Sequence, residues 1–494
     1  MATSTRFAGY PSAVVYDKPE DKKKAVQHLL WGDWLRLKKG RKEGYVEVHA
    51  RGVDGWMKEE DIQKERLLEV AFVDIGQGDG CLLVTPEDKH MVIDAGQEDN
   101  MARFLRWRYG GFDEAWTFEC AVISHPDQDH YGGFDNVFKE KNVSFGTVYH
   151  NGIVERNGAN PLGKKTSSGR PLYLTELVTN ETELKEFFSV PSRWKKKKYP
   201  TMLQAGFENK KFSKFKMLST QDGYLPGYSS ASGKDLTIQV LGPVVNLDTD
   251  KPRLQWFTDV GKTKNGHSVV LRIQYRNVSL LLGGDLNIPS EELLLSHHTG
   301  LKAPPKTVEE HAVMVEAGRK VFQVDIAKSC HHGSGDFSTV YLAATNPIAT
   351  VISSGDDEPH SHPRADALGA IGAHGRGVRP LIFSTELARS AKESVKHPYV
   401  LRAQIKELNK QIAAAATTTA ADRKRREKLE KQLDSLLGSI NRSIAVYGTI
   451  QLRTDGKKVV MAQKLERPRS KSKKWDIYQL EPSGNGPLVY LSKY

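Results

Sequence analysis

The densest chemistry in this 494-residue chain lies in six consecutive residues, His125-Pro126-Asp127-Gln128-Asp129-His130. Imidazole and carboxylate groups at alternate positions put several donors on one tight loop, a set that suits divalent metal ions. Asp129 and His130 are adjacent and point different ways, so one loop can feed two neighbouring ions. The alternative for an isolated hexapeptide of this kind is a charged surface loop. Here it follows the apolar run Ala121-Val122-Ile123 and precedes Gly132-Gly133, which lets the backbone turn close to the site. Asp285 follows a second apolar run, Leu280-Leu281-Leu282, where an unpaired carboxylate would be costly. His331-His332 follows a third, Val324 to Ala327. Three acid or histidine clusters, each at the end of a buried strand, predict a metal-dependent hydrolase.

Side chains of this kind need rigid supports with open loops at their ends. The pattern predicts strands at Leu67–Val73, Cys81–Val84, Met91–Ile93 and Ala121–Ser124, the last delivering the histidine loop. Helical spacing falls within 97–114, and further strands are expected at 236–241, 268–273, 278–282, 324–327 and 349–352. Residues from about 11 to 63 read as a short all-β module with turns at Gly32-Asp33, Lys39-Gly40 and Asp54-Gly55. Its close, Gly55-Trp56-Met57, resembles bacterial SH3-like domains, which implies a docking module or a small accessory barrel. Leu401, Ile405, Leu408 and Ile412, then Leu429, Leu433, Leu436 and Ile440, recur at helical spacing and predict an αα-hairpin. Strands are expected after it, from Tyr447 onward. The resulting division is 1–64, a catalytic unit 65–390 with a basic insert 150–233, and an extension 391–494.

The motifs resemble the metallo-β-lactamase fold superfamily and, within it, the nuclease domain of the ComEC DNA-uptake proteins. The resembling residues are Phe72-Val73-Asp74-Ile75-Gly76-Gln77-Gly78-Asp79, Val92-Ile93-Asp94-Ala95-Gly96, Ile123 to Gly133, Leu281 to Asp285, His331 to Ser334 and His362-Pro363, in order from about 67 to 380. The resemblance implies an α/β chain with a four-layer αββα fold and two divalent metal ions, Zn or Mn. It implies His125 and Asp127 as ligands of one ion and Asp129 and His130 as ligands of the other, with Asp285 bridging. His331 or His332 completes the second site; His331 is taken as the ligand and His332 as a residue behind it. Asp94 is expected to orient the histidine loop. Aspartate at 127, where the family often has histidine, hardens the first site and makes manganese or magnesium as credible as zinc. A further histidine is expected between Asp129 and Asp285, and His267 and His150 are the candidates. The transmembrane apparatus of ComEC is not in this chain, so a soluble relative is implied.

Two such ions, about 3.5 to 4 Å apart, would hold a hydroxide and stabilise the charge on the leaving oxygen. Asp129 and His362 are the residues expected to act in the reaction, His362 as proton donor or substrate polariser unless it is purely structural. Phosphodiesters, lactones, thioesters, cyclic nucleotides and β-lactams all suit such a site. The basic insert points to nucleic acid, with DNA favoured: Trp194-Lys195-Lys196-Lys197-Lys198-Tyr199, Lys210-Lys211-Phe212 and Lys214-Phe215-Lys216 interleave cations with aromatics, which suits phosphate contacts plus base stacking. The net charge of +12 agrees with a polyanionic partner. A small-molecule hydrolase, and a scaffold binding proteins through the SH3-like module or the helical hairpin, are the alternatives. Three cysteines give no disulfide framework, no apolar run reaches membrane-spanning length and no secretory signal is visible, so a cytoplasmic protein without membrane contact is expected.

Overall fold

The structure, a computed structural model, describes residues 5–19, 24–76, 78–166, 169–248, 250–355, 361–385, 398–443, 448–465, 468–484 and 486–491. Gln77 and Tyr447 lie outside them, as do the side chains of 398–403, 434, 437–443 and 491, Leu401 and Ile440 among these.

The N-terminal segment forms an antiparallel seven-stranded sheet in the order Ala25–Leu30, Ser12–Tyr16, Val53–Lys58, Tyr45–Ala50, Trp34–Lys42, Thr5–Ala8, Ile62–Gln63. Alternation sets its register. In Ser12–Tyr16, for example, Ala13 and Val15 enter a small core with Leu29, Leu35, Val46 and Met57.

The remaining strands build two facing sheets. The first has ten strands in the order Phe212–Met217, Val143–His150, Trp116–Val122, His90–Ala95, Gly80–Val84, Leu68–Phe72, Ile450–Thr454, Val459–Lys464, Trp475–Pro482, Leu488–Leu491. The second has six, in the order Leu236–Gly242, Val270–Tyr275, Val278–Leu282, Ile326–Lys328, Ala349–Ile352, Leu381–Ser384. Four consecutive strands of each sheet are parallel. Their C-terminal ends therefore open on one edge, where loops can converge. The strands after residue 448, grouped by sequence with the helical hairpin, pair through Ile450–Thr454 with Leu68–Phe72 and complete the first sheet.

Period-two alternation makes four layers. Cys81, Leu83, Met91 and Ile93 point inward and meet Leu271, Ile273, Leu280 and Leu282 of the opposite sheet. Their neighbours Leu82, Val84 and Val92 point outward and pack with Phe104, Phe134 and Leu203, which lie on the helices Asn100–Arg108, Gln128–Lys139 and Lys198–Glu208. Leu241, Val270 and Leu281 do the same on the far side, against Leu294, Leu295, Met314 and Phe322 of the helices Ile288–Thr299 and Val308–Phe322. Burying each such side chain contributes about 1.5–3 kcal/mol. Helices Pro398–Ala414 and Ala420–Ser443 pack on one another as a hairpin.

Buried charges join the N-terminal sheet to the ten-stranded one. Arg453 makes an ion pair with Glu69 and lies 3.8 Å from Asp33. Asp33 is also held by Arg51 at 2.6 Å, and Glu69 by Arg108 at 2.6 Å. Removing one member of such a set would strand a charge in low dielectric, which is costly.

Candidate metal centre

His125 enters from the C-terminal end of Trp116–Val122, and helix Gln128–Lys139 begins directly after Asp127. Asp129 and His130 therefore sit in the helix's first turn, on a fixed scaffold. The glycines make that position reachable: a Cβ on Gly133 would lie 2.0 Å from the carbonyl oxygen of Ala95, and one on Gly78 would lie 1.7 Å from that of Asp129. Helix and loops can thus touch backbone to backbone, and the Asp79 amide donates to the Asp129 carbonyl at 3.1 Å.

From the opposite sheet, Asp285 follows Val278–Leu282 and His331-His332 follow Ile326–Lys328. Ligand atoms of Asp129, His130, Asp285 and His332 all lie within 4.8 Å of one another. Nε2 of His130 is 3.2 Å from Oδ2 of Asp285, and Nε2 of His332 is 3.1 Å from the same oxygen. Both nitrogens, and Oδ1 of Asp285, are buried and make no hydrogen bond among the described residues. Two imidazoles and two carboxylates converging with unsatisfied atoms fit a divalent cation in number and chemistry.

Each imidazole is steered from behind. Oδ2 of Asp94 lies 2.8 Å from Nδ1 of His130, while its Oδ1 accepts the Ser124 amide at 2.7 Å. Oδ1 of Asp79 lies 3.2 Å from Nδ1 of His332, and Lys328 neutralises Asp79 from the other side. Asp94 fixes the tautomer of His130, and the carbonyl of Ser353, 3.1 Å from Nδ1 of His332, fixes that of His332 with Asp79 beside it, so both Nε2 atoms are aimed inward. His125 is set by two serine hydroxyls instead, the nearer being Oγ of Ser124, 3.1 Å from its Nδ1. The Ser268 hydroxyl donates to the carbonyl of Asn265 at 2.7 Å, so toward Nδ1 of His125, at 3.2 Å, it accepts. Backbone strain gathers here too: Asp94, His331 and His332 hold φ of 54°, 46° and 54°, a region costly for residues with a side chain.

The electrostatics follow from these pairings. Burial pulls His130 and His332 down, but the facing carboxylates outweigh it. Asp285 and Asp94 hold His130 well above the usual imidazole range, as Asp285 and Asp79 hold His332. Asp285 is pulled well below the carboxylate range by His130, His332 and His331 despite its burial. Burial and the neighbouring His130 push His125 well below its ordinary value, so it is neutral. A cation bound at the centre would take the place of the two imidazole protons.

Not every expected residue joins this group. His331, expected as the ligand, is the more exposed of the pair, with Nε2 4.0 Å from Asp285; His332, expected behind it, points into the centre. The left-handed turn through both residues decides which imidazole faces inward. Asp127 is engaged by the ammonium of Lys264, and Nε2 of His125 lies 3.7 Å from its carboxylate. Nε2 of His150 lies 2.8 Å from the carbonyl oxygen of Val178 and that of His267 lies 2.7 Å from the carbonyl oxygen of Gln255, so neither ring turns to the centre. The His362 ring lies 5.6 Å from that of His331, beside the cluster.

Lys195, Lys196 and Lys198 are exposed, and Lys198 donates to the side chain of Gln128 at 3.0 Å. The interleaved aromatics depart from the base-stacking expectation: Trp194, Tyr199, Phe212 and Phe215 are all buried in the core behind the first sheet. In Phe212–Met217 burial departs from strict alternation: Phe212, Phe215 and Met217 are buried, and Ser213, Lys214 and Lys216 are exposed. Asp79, Lys328 and Lys264 are the participants that sequence reading did not single out. Asp79 had a visible signal in Gly78-Asp79-Gly80, whereas a lysine near a helix end carries none.

No helix among the described residues is long and apolar enough to cross a membrane. No curated protein matches the chain in a sequence comparison. Among solved structures, the crystal structure of a long form RNase Z from yeast aligns at 8% identity and a TM-score of 0.25, covering 86% of this chain and 61% of that one. The chain therefore spans about three fifths of that relative's length. The sequence profile of the metallo-beta-lactamase superfamily matches residues 80–326, from the strand after Asp79 to the strand that leads to His331-His332. That match takes in half of the chain, and the chain belongs to the metallo-beta-lactamase superfamily.

Proposed function

We propose that this protein is a metal-dependent phosphodiesterase acting on nucleic acid, with its cation held by Asp129, His130, Asp285 and His332. One observation carries the choice of substrate. The basic segment Lys195–Lys198 borders the metal loop itself, joined to it by the Lys198–Gln128 hydrogen bond. A cleft of about 1100 Å³ runs there, lined by those four lysines, Gln128, Tyr131 and residues of helix Pro398–Ala414. Exposed ammonium groups in a cleft suit a phosphate backbone, and the burial of the aromatics favours phosphate contacts over base stacking. The ordered likeness to ComEC nuclease domains supports the same reading.

A divalent ion supplies two things at such a centre, a coordinated water of lowered pKa and charge stabilisation at the leaving oxygen. The residues of the chain do the rest. Asp94 holds His130 in the ligating tautomer and the Ser353 carbonyl, with Asp79 beside it, holds His332; the serine hydroxyls at Nδ1 of His125 only fix its ring. Asp129, kept ionised by His332 and His130, would accept a hydrogen bond from the attacking water. His362, beside His331, donates a proton to the leaving oxygen.

Cleavage of single- and double-stranded DNA and RNA, after chelation and after return of Mn²⁺ or Zn²⁺, tests this reading. Metal-restored cleavage of at least one polymer is expected. Reversing Lys195, Lys196, Lys197 and Lys198 to glutamate should weaken nucleic-acid binding and lower the slope of log affinity against log salt by about 0.7–0.9 for each phosphate no longer neutralised. An unchanged slope would favour a small-molecule hydrolase.

A further inference from the structure

The two-ion set implied by resemblance needs a second cation position beside His125 and Asp127. In this chain that position already contains a cation. The Lys264 ammonium sits on Oδ1 of Asp127 and lies 3.7 Å from Oε1 of Glu155. Its side chain is only 13% exposed, so the contact is built into the fold. Asn265, with its amide oriented by the surrounding hydrogen bonds, donates to the other Asp127 oxygen at 2.7 Å and to the carbonyl of Gly261 at 3.2 Å. Both oxygens of Asp127 are thus taken by protein donors. Helix Val260–Gly266 carries Lys264 and Asn265 and is capped by Asp259, whose side chain accepts the Lys262 amide.

The remaining donors are too few for an ion. A metal there would find Nε2 of His125 and a share of Asp285, whereas such ions take four ligands or more. Neither His150 nor His267 can be the missing one, since each lies against a carbonyl elsewhere. The position at Asp129, His130, Asp285 and His332 offers four converging donors; Lys328 stands at its edge, paired with Asp79 and 3.9 Å from Oδ1 of Asp285, and no lysine pairs with Asp129 among the described residues.

We infer that Lys264 stands in the first cation position, and that the protein binds a single divalent ion, at Asp129, His130, Asp285 and His332. The inference rests on the metal-hydrolase reading, but its readout is ion count, which can be right or wrong whatever the substrate proves to be. An ammonium in place of an ion keeps a fixed positive charge beside the reacting group. It gives up the exchangeable water that a second ion would bring.

The test is metal content by mass spectrometry on the full chain, loaded with Mn²⁺ and desalted, together with its electron paramagnetic resonance spectrum. One ion per chain with the spectrum of an isolated Mn²⁺ is expected. Two ions per chain, or the spectrum of an exchange-coupled pair, would overturn the inference. Asp127→Asn should still hold one ion, because Asp127 is bonded to Lys264 rather than to metal; loss of that ion would count against the proposal. Lys264→Ala, which frees Asp127 and Glu155, should raise the count toward two. A folded Lys264→Ala that stays at one would show that the lysine does not occupy an ion's place.

Discussion

Asp79 and Asp94 each stand behind a histidine whose Nε2 faces Asp285, Asp94 bonded to His130 and Asp79 paired with His332, whose Nδ1 is bonded to the Ser353 carbonyl. Because His332 faces inward and His331 lies at the rim, the two neighbouring histidines should separate sharply on substitution. His332→Ala is expected to abolish stoichiometric metal binding, while His331→Ala retains the ion. Asp79→Asn and Asp94→Asn should each weaken metal affinity by about 10–100-fold. Competitive metal titration reads all four, and equal losses at 331 and 332 would contradict the assignment. The donors of the histidine loop were legible in the sequence because their alternation follows an apolar strand and precedes two glycines. The choice between His331 and His332 was not, since it depends on a left-handed backbone turn that residue types do not announce. Lys264 was equally hidden, being 137 residues from the aspartate it engages.

At the scale of elements, helix Ile288–Thr299 must stay docked for Asp285, just before it, to keep its place. Glu291 is the buried pin: its Oε2 accepts the Ser338 amide at 2.5 Å, and its Oε1 has no hydrogen-bond partner among the described residues. Burial raises its pKa from 4.5 to about 8. The folded state therefore holds a proton that the unfolded state releases between those values. The stability this proton supplies is full below about pH 4.5 and is lost as pH rises through 8, at up to about 1.4 kcal/mol per unit. Glu291→Gln mimics the protonated form, so its advantage over wild type should widen between pH 5 and pH 8 in denaturant unfolding; a constant gap would contradict the burial argument. Individual strands were readable from period-two alternation, and the layers follow from it. Sheet membership was less so. Ile450–Thr454 looks like any short strand, and its pairing with Leu68–Phe72 joins segments almost 380 residues apart, a distance that local patterning does not encode.

Across the whole molecule, the described chain is one αββα body with an all-β sheet docked on it through Arg453, Asp33, Arg51, Glu69 and Arg108. The ten-stranded sheet is built from strands between Leu68 and Met217 and strands between Ile450 and Leu491, so the histidine loop rests on strands before and after it. The net charge of +12 becomes informative only through its placement, with Lys195–Lys198 in a cleft beside Gln128, the residue next to Asp129 in the histidine loop. Metal, cleft and charge together carry the central claim, that the Asp129–His130–Asp285–His332 centre cleaves phosphodiesters. Its most direct test is cleavage of single- and double-stranded nucleic acid by the metal-loaded wild type and by the double variant Asp129→Ala with Asp285→Ala, both checked for folding. The double variant is expected to lose its ion and at least about 10³-fold of the activity. Cleavage that survives the double substitution would contradict the claim.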